Sequence, residues 1–326
     1  MTFLTRAAGA AAVLAFSTGI ALAEPAVVYD SGGKFDKGFN ESAFNGMEQV
    51  KKETGKPYLE FEVQTDAQRE QAIRRFAQKK ADPIVTVGFA QATALEKVAK
   101  EFPKTHFVII DSVVDLPNVE SIVFKEHEGS FLVGVLAAMA SKTGKVGFVG
   151  GMDIPLIRRF ECGYEQGVKY QNKDATVFQN MTGTTGAAWN DPTKGGELAK
   201  SQFDQGADVV FAAAGATSLG VYQAAKDSGK LAIGVDSNQN HLHPGTMLSS
   251  MMKRVDVAVH GAVVGWKGGV SELGLKEQGV DAAFDEYNKP LVTDDMKAKV
   301  EAAKADIISG KIKVHDYVAD NACPAS

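Results

Sequence analysis

The chain has 326 residues, of which 44% are hydrophobic and 23% charged, and it contains only two cysteines. This composition excludes a disordered or disulfide-dense protein, and the length favours two domains over one. The net charge of −5 lacks the basic balance that nucleic-acid-binding surfaces need, so no nucleic-acid partner is expected. After the N-terminal segment, no apolar stretch is long enough to span a membrane.

The N-terminal segment 1–23 has the pattern of a secretory signal peptide. Arg6 supplies the positive charge, an apolar run follows, and Ala21, Leu22 and Ala23 form a small-residue cleavage site. A buried helix or membrane anchor is the alternative, which the following Glu24 and Pro25 disfavour. We therefore expect cleavage after Ala23 and a mature periplasmic protein. No cysteine beside this site could carry a lipid, so a lipoprotein is not expected.

Export also decides how the two cysteines are interpreted. In an oxidising compartment, one disulfide between Cys162 and Cys323 is favoured. Two unpaired buried thiols remain the alternative, because no local CxxC spacing supports pairing.

Predicted strands and helices alternate along the chain. Runs rich in β-branched residues predict a first set of strands at 26–30, 59–63, 84–88 and 106–111, and a second set at 145–150, 175–178, 208–212 and 231–236. Helical spacing of apolar residues predicts helices at 41–54, 66–80, 90–101, 126–142, 156–171, 192–205 and 217–229. Continuous apolar strands suit parallel sheets covered on both faces. The predicted fold class is therefore α/β, with two doubly wound sheets in succession.

Structured segments connect the two sets. The strand-like stretch 119–125 runs into a helix, 246–252 runs into a helix at 254–267, and a last helix is predicted at 291–310. Since no Gly/Ser-rich or Pro-rich linker separates the sets, two lobes connected by several strands are expected.

Several predicted strands end in an aspartate. Asp30, Asp111 and Asp236 each follow such a strand, and ligands of open parallel sheets bind at the carboxyl ends of the strands. Three converging carboxylates would suit a polyhydroxylated, neutral or cationic small molecule. Capping of the following helices is the alternative for each aspartate.

The glycine-rich loop after the first strand contains two further candidates. Its sequence matches neither GxGxxG nor the phosphate-binding P-loop. Phe39 is unusual in a polar loop and indicates ring binding, with a hydrophobic staple for the next helix as the alternative. Asn40 offers both a donor and an acceptor to the edge of a heterocycle.

Trp189 and Lys253 are candidates from the second part of the chain. Trp189 lies in a loop between a strand and a helix, so that it and Phe39 could clamp a flat ring from both faces. Lys253 ends a predicted crossing strand and can anchor ligand oxygens, form an ion pair with a nearby aspartate, or do both.

No catalytic arrangement is legible. GxSxG, HExxH and Cys/His nucleophile patterns do not stand out. His241 and His243 lack a third ligand, so a solvated turn is favoured over a metal site. Neither a catalytic residue, a metal nor a cofactor is expected, and this favours binding over catalysis.

The run at 30–40, DSGGKFDKGFN, resembles the opening motif D-x-G-G-x-x-D-x-S-F-N of the basic membrane protein family. These are substrate-binding proteins of ABC importers and include a purine nucleoside receptor. Further stretches resemble family blocks in the same order, at 108–112, 191–195, 206–215 and 234–236. Lys253 matches the lysine of the family.

The resemblance implies a type I periplasmic-binding-protein fold with three crossings between its lobes. The first lobe would comprise 24–125 and 253–272, and the second 126–252 and 273–326. The implied function is non-enzymatic. A monomer would close on a nucleoside, with a purine nucleoside as the implied ligand. It would then dock on an ABC permease in the inner membrane.

The resemblance also implies roles for individual residues. Phe39 and Trp189 would sandwich the base, while Asp30 and Asn40 would hydrogen-bond its edge. The residues expected near the ribose are Asp111, Gly215, Asp236 and Lys253. Gly38 replaces the usual serine and Trp189 the common phenylalanine, so the preferred base stays open.

Other functions remain as alternatives. A protein of the same fold could bind a sugar or a free purine base, and it could serve a chemoreceptor. A nucleoside hydrolase is the enzymatic alternative. A transcription-factor effector domain shares the lobe architecture, but the export signal and the lack of a helix-turn-helix disfavour it.

Overall fold

The computed structural model describes residues 23–324. The predicted signal peptide falls on residues outside this range except for Ala23. The strands, in chain order, are β1 (Ala26–Tyr29), β2 (Leu59–Glu62), β3 (Ile84–Val87), β4 (Phe107–Ile110), β5 (Val119–Phe124), β6 (Lys145–Met152), β7 (Thr176–Gly183), β8 (Val209–Ala213), β9 (Leu231–Asp236), β10 (Met247–Lys253), β11 (Gly269–Leu273) and β12 (Val280–Ala282). The α-helices are α1 (Phe39–Thr54), α2 (Ala67–Gln78), α3 (Ala92–Glu101), α4 (Glu126–Ala140), α5 (Pro155–Gln171), α6 (Pro192–Asp204), α7 (Ser218–Asp227), α8 (Val255–Gly265) and α9 (Asp294–Ile308).

The strands form two six-stranded sheets. The first has the order β11-β5-β4-β3-β1-β2 and is parallel throughout. The second has the order β12-β10-β9-β8-β6-β7 and is parallel except for β12, which pairs antiparallel with β10. We call the first sheet with α1–α3 and α8 the first half, and the second sheet with α4–α7 and α9 the second half. The predicted α/β fold with two successive sheets is confirmed.

Burial differs between the central and the edge strands. The central strands β1, β3, β4 and β8 are buried along their whole length, as their unbroken apolar runs predict. The edge strands differ: β2 alternates between half-buried and exposed residues, and β7 is half-buried or exposed throughout. These strands lie at the sheet margin, where helices cover them incompletely.

Within residues 23–324, the chain crosses between the halves three times. β5 of the first sheet leads into α4, β10 of the second leads into α8, and β11 of the first leads to β12 of the second. The strands at the second and third crossings end at Lys253 and Leu273, each one residue beyond the predicted lobe boundary. Strand-like runs in the sequence predict the first two crossings. No strand is predicted at 269–282, because the apolar runs there are short and rich in glycine.

No helix within residues 23–324 combines the length and the apolar character needed to cross a bilayer.

A disulfide connects α5 to the C-terminal segment. It joins Cys162 to Cys323, whose Cα atoms are 5.6 Å apart and whose sequence separation is 161 residues. Cys162 is buried, so the bond fixes the end of the chain to the body of the second half.

Removing this disulfide should lower stability, because the unfolded chain regains the freedom of a long loop. We expect the C162S/C323S double variant to lose about 2–5 kcal/mol in the free energy of unfolding. Denaturant titration measures the change, and reduced wild-type protein is the matched control. Equal unfolding midpoints for the oxidised wild type and the double variant would contradict the expectation.

Candidate functional site

A cavity of about 620 Å³, including its opening, lies at the carboxyl ends of strands from both sheets. Both halves contribute to its walls. All eight ligand-binding residues predicted from the sequence line it: Asp30, Phe39, Asn40, Asp111, Trp189, Gly215, Asp236 and Lys253.

The loop after β1 is held by Asn40. The Asp30 amide donates to Asn40 Oδ1 at 3.0 Å, and Asn40 Nδ2 donates to the carbonyl oxygens of Asp30 and Gly33 at 3.2 and 3.3 Å. From the sequence, this amide is expected to hydrogen-bond the edge of a ligand. In the structure its hydrogen bonds go to the loop backbone, so Asn40 sets the shape of the cavity wall.

Asp36 determines where α1 begins. Its carboxylate accepts from the amides of Gly38, Asn40 and Glu41 at 2.9–3.1 Å, so the helix starts at Phe39, two residues earlier than predicted. Burial raises the pKa of Asp36 to about 6. Asp36 lines the cavity but is not among the residues predicted from the sequence, although it is the second aspartate of the 30–40 motif.

Arg69 holds Asp30 from behind. Arg69 Nη1 lies 2.5 Å from Asp30 Oδ1, and both side chains are buried. Burial raises the pKa of Asp30 even though Arg69 acts against this. Gly88 makes room for the carboxylate: its φ of +103° suits glycine, and a Cβ there would lie 2.3 Å from Asp30 Oδ2. Arg69 is not predicted from the sequence. The available signal is its position three residues before the apolar Ala72, which places its charge on the apolar face of the helix.

Lys253 is at the centre of a buried group of charges. Its ammonium nitrogen lies 2.6 Å from Asp111 Oδ2 and 2.9 Å from Glu126 Oε1, and the side chain is only 2% exposed. Burial disfavours the charged form, but the carboxylates outweigh it and raise the pKa of Lys253. The nitrogen also lies 5.1 Å from the ring centre of Phe39. The ion pair that the sequence analysis allowed is therefore present.

Glu126 was not predicted. It is the first residue of α4, immediately after the first crossing, and its side chain is fully buried. An acidic residue directly at a predicted crossing was the available signal, but its burial depends on partners far along the chain.

Two aspartates at strand ends have unusual backbones. Asp111 and Asp236 have φ values of +69° and +67°, in the left-handed region that non-glycine residues rarely adopt. Such conformations persist only where the surrounding structure enforces them, and they are frequent at ligand sites. Here they occur in two residues that line the cavity.

These carboxylates are poorly solvated. Burial raises the pKa of Asp111 to about 6, with Lys253 acting against the shift. Burial, with additional repulsion from Asp36, Asp111 and Glu126, raises the pKa of Asp236 to about 7, again against the effect of Lys253. Among the residues described, Oδ1 of Asp111 is a buried atom without a hydrogen-bond partner.

The ring of Trp189 occupies space beside Gly151, which has no side chain. Trp189 ends the short 3₁₀ helix Gly186–Trp189, and a Cβ built on Gly151 would lie 2.2 Å from its ring. Thr217 Oγ1 holds this loop: it donates to the carbonyl of Ala188 at 2.8 Å and accepts from the amide of Asp191 at 2.7 Å. The indole is thereby fixed on the wall contributed by the second half.

The halves also touch directly at the cavity. The carbonyl oxygen of Lys37 in the first half accepts from Ser237 Oγ and Gln239 Nε2 of the second, both at 2.7 Å. We call these the cross-cleft hydrogen bonds. Gln239 is oriented by Tyr222, whose hydroxyl donates to Gln239 Oε1 at 2.7 Å.

Comparison with known proteins identifies the family. The family model for PnrA-like ABC transporter substrate-binding proteins matches residues 23–317, so the chain belongs to this family. The resemblance seen in the 30–40 motif is confirmed. Substrate-binding proteins of this family present a ligand for import and are not enzymes.

Several relatives span most of the chain. It is 33% identical to the ABC transporter nucleoside-binding protein BmpA of Lactococcus lactis, over 89% of this chain and 88% of the relative. It is 35% identical to the CD4+ T-cell-stimulating antigen of Listeria monocytogenes, over 89% of this chain and 87% of the relative. An uncharacterized lipoprotein of Pyrococcus horikoshii is 38% identical, over 78% and 67%.

A solved structure shares the architecture. The solute-binding protein of an ABC transporter system from Aeropyrum pernix aligns with a TM-score of 0.82 and 31% identity, over 90% of this chain and 93% of that one. The chain thus has the type I periplasmic-binding-protein fold.

The raised pKa of Asp236 predicts a pH-dependent stability. Between its ordinary value of 3.8 and its folded value of about 7, the folded protein holds a proton that the unfolded chain has lost. This group therefore makes the ligand-free protein less stable as pH rises through that window. The Asp236→Asn variant cannot titrate, so its stability relative to wild type should increase from pH 5 to 7.5, by on the order of 2 kcal/mol.

Denaturant unfolding at several pH values measures this difference. Asp295→Asn, which removes a carboxylate that is 72% exposed, is the control. A wild-type-minus-variant difference that is constant with pH would show that Asp236 is not perturbed by burial.

Proposed function

We propose that this protein binds a purine nucleoside in the cavity between its two halves and delivers it to the permease of an ABC importer. One observation carries the proposal: Phe39 and Trp189, aromatic residues from opposite halves, line the same cavity as a set of buried carboxylates. A flat heterocycle and a hydroxylated sugar are the two chemical groups that such walls suit. The name of the Lactococcus lactis relative supports the same ligand class.

Stacking and hydrogen bonding provide enough binding energy. Contact with each aromatic face contributes about 0.5–1.5 kcal/mol beyond the area buried. Hydroxyl and N–H donors of the ligand would bond carboxylates such as Asp30, Asp111 and Asp236, at about 1.5–3 kcal/mol each. After ordering costs, these terms support about micromolar affinity, near −8 kcal/mol.

The charge of the cavity favours an unphosphorylated ligand. Four aspartates line it, namely Asp30, Asp36, Asp111 and Asp236, and Lys253 is the one lysine or arginine among the described lining residues. That lysine is already paired with Asp111 and Glu126. A phosphate group would therefore meet uncompensated negative charge, whereas a neutral nucleoside would not.

Binding is proposed to close two lobes around the ligand. The lobes are taken as 24–125 with 253–272, and 126–252 with 273–326, turning about the three crossings. Ligand drives closure only if it binds the closed form better, and contacts from both walls supply that preference. The cross-cleft hydrogen bonds to Lys37 would form on closure and add to it.

We infer that the protein acts as a monomer in the periplasm. The signal-peptide pattern at 1–23 supports export, and a substrate-binding protein of an ABC importer works outside the inner membrane. The permease would recognise the closed form.

The ligand class is tested by identifying what the protein binds. We expect a purine nucleoside to be released on denaturation of the purified protein and detected by mass spectrometry. In a calorimetric panel, adenosine, guanosine or inosine should bind at least tenfold tighter than ribose, adenine or the corresponding monophosphates. Preference for ribose or for a free base would replace the nucleoside by the sugar or base alternative, and release of free base from inosine would indicate a hydrolase.

Removing either ring should weaken binding. We expect Phe39→Ala and Trp189→Ala each to weaken nucleoside affinity at least about tenfold, because a stacked face and its buried area are lost. Phe35→Ala is the matched control: Phe35 lies in the loop that leads to Phe39, is 59% exposed and packs edge-on against Phe44 outside the cavity. Calorimetry that finds all three variants equal to wild type would remove the two rings from the binding site.

A further inference from the structure

We propose that the C-terminal segment 315–323 is a positioning element of the binding cavity, acting on Lys253 through a chain of buried charges. This rests on the proposed function, in which Lys253 helps form the ligand site. We call the chain Asp316–Arg159–Glu126–Lys253 the charge relay.

Each step of the charge relay is a short contact. The two carboxylate oxygens of Asp316 accept from Nε and Nη2 of Arg159, both at 2.7 Å. Arg159 Nη1 donates to Glu126 Oε2 at 3.0 Å, and the other oxygen of Glu126 lies 2.9 Å from Lys253 Nζ. Asp316 thus connects to the cavity through two intermediate side chains.

Arg159 and Glu126 are buried and have little freedom to move if the position of Asp316 changes. Arg159 is only 8% exposed, and Glu126 is fully buried. Arg159 also donates to the carbonyl of Phe124, the last residue of β5, at 2.7 Å. A bidentate arginine–carboxylate pair fixes the plane of the guanidinium group. Asp316 therefore determines how Arg159 directs Nη1 toward Glu126.

One face of α5 holds the segment. Arg159, Cys162 and Gln166 lie on this face at helical spacing. Cys162 forms the disulfide to Cys323, and Gln166 exchanges two hydrogen bonds with the backbone of His315, at 3.0 and 2.8 Å. Asp316 lies between these two attachments. Attachment on both sides of Asp316 restricts the motion of its carboxylate. A positioning role requires this restriction, since a mobile carboxylate could not orient Arg159.

The proposal is tested by Asp316→Asn, which keeps the shape and removes the charge. We expect inosine or guanosine affinity, measured by calorimetry, to fall about 3- to 20-fold. Asp320→Asn is the matched control on the same segment, because Asp320 contacts His315 and the amide of Ala322 and takes no part in the relay. Its affinity should equal that of wild type.

A double-mutant cycle separates positioning from general structural damage. If Asp316 acts through Lys253, then Lys253→Met and the Lys253→Met/Asp316→Asn double variant should bind with equal affinity. Wild-type-like binding by Asp316→Asn, or the same loss in both backgrounds, would overturn the proposal.

A ligand-free measurement keeps this proposal distinct from the nucleoside assignment. The ammonium group of Lys253 should give a protected ¹⁵N NMR signal, assigned by its loss in Lys253→Met. Asp316→Asn should shift that signal and Asp320→Asn should not. If wild type binds no nucleoside but the signal shifts, the proposed function fails and the relay stands. If nucleoside binds and neither signal nor affinity changes, the relay fails.

Discussion

The site depends on one buried cation. Lys253 balances Asp111 and Glu126 at contact distance and Asp236 at longer range, and removing a charge from water without such balance costs several kcal/mol. Because these three carboxylates outnumber the one ammonium group, Lys253 neutralises their negative charge only in part. Asp111 keeps a buried oxygen without a partner among the residues described, and the pKa of Asp236 is raised. This residual demand for hydrogen-bond donors is what a hydroxylated ligand would meet.

The same ion pairs lie where the halves are connected. Glu126 follows the first crossing and Lys253 precedes the second, while Asp111 directly follows β4 of the first sheet. Groups close to the crossings move least when two lobes turn about them, so these contacts can persist in an open form. The cross-cleft hydrogen bonds from Ser237 and Gln239 instead join loops of the two halves and would separate on opening. The proposed closure would thus involve contacts other than the buried ion pairs that line the proposed ligand site.

How far the sequence predicts this arrangement depends on the kind of interaction. Apolar runs predict the central strands because both faces of those strands are buried. Strands β11 and β12 lack such runs, since they lie at sheet edges and form through pairing. Aspartates at strand ends are predicted because topology brings those ends together. Arg69 and Glu126 are not, because the burial of a charge is decided by partners distant in the chain. Asn40 lines the cavity, but sequence could not distinguish a ligand contact from a loop contact.

Two positions depart from the residues that the resemblance implies, Gly38 beside the cavity-lining Phe39 and Trp189 in the cavity wall, and each has a local explanation. At Gly38, where the family has serine, a Cβ would lie 3.3 Å from Asp236 Oδ2, so a side chain would crowd that carboxylate. At Trp189, where phenylalanine is common, the larger ring fits because Gly151 leaves space beneath it. The first departure leaves the Asp236 carboxylate uncrowded, and the second adds ring area to the cavity wall. Since Trp189 is proposed to contact the ligand, the base preferred by a relative does not transfer to this protein, even where the fold does.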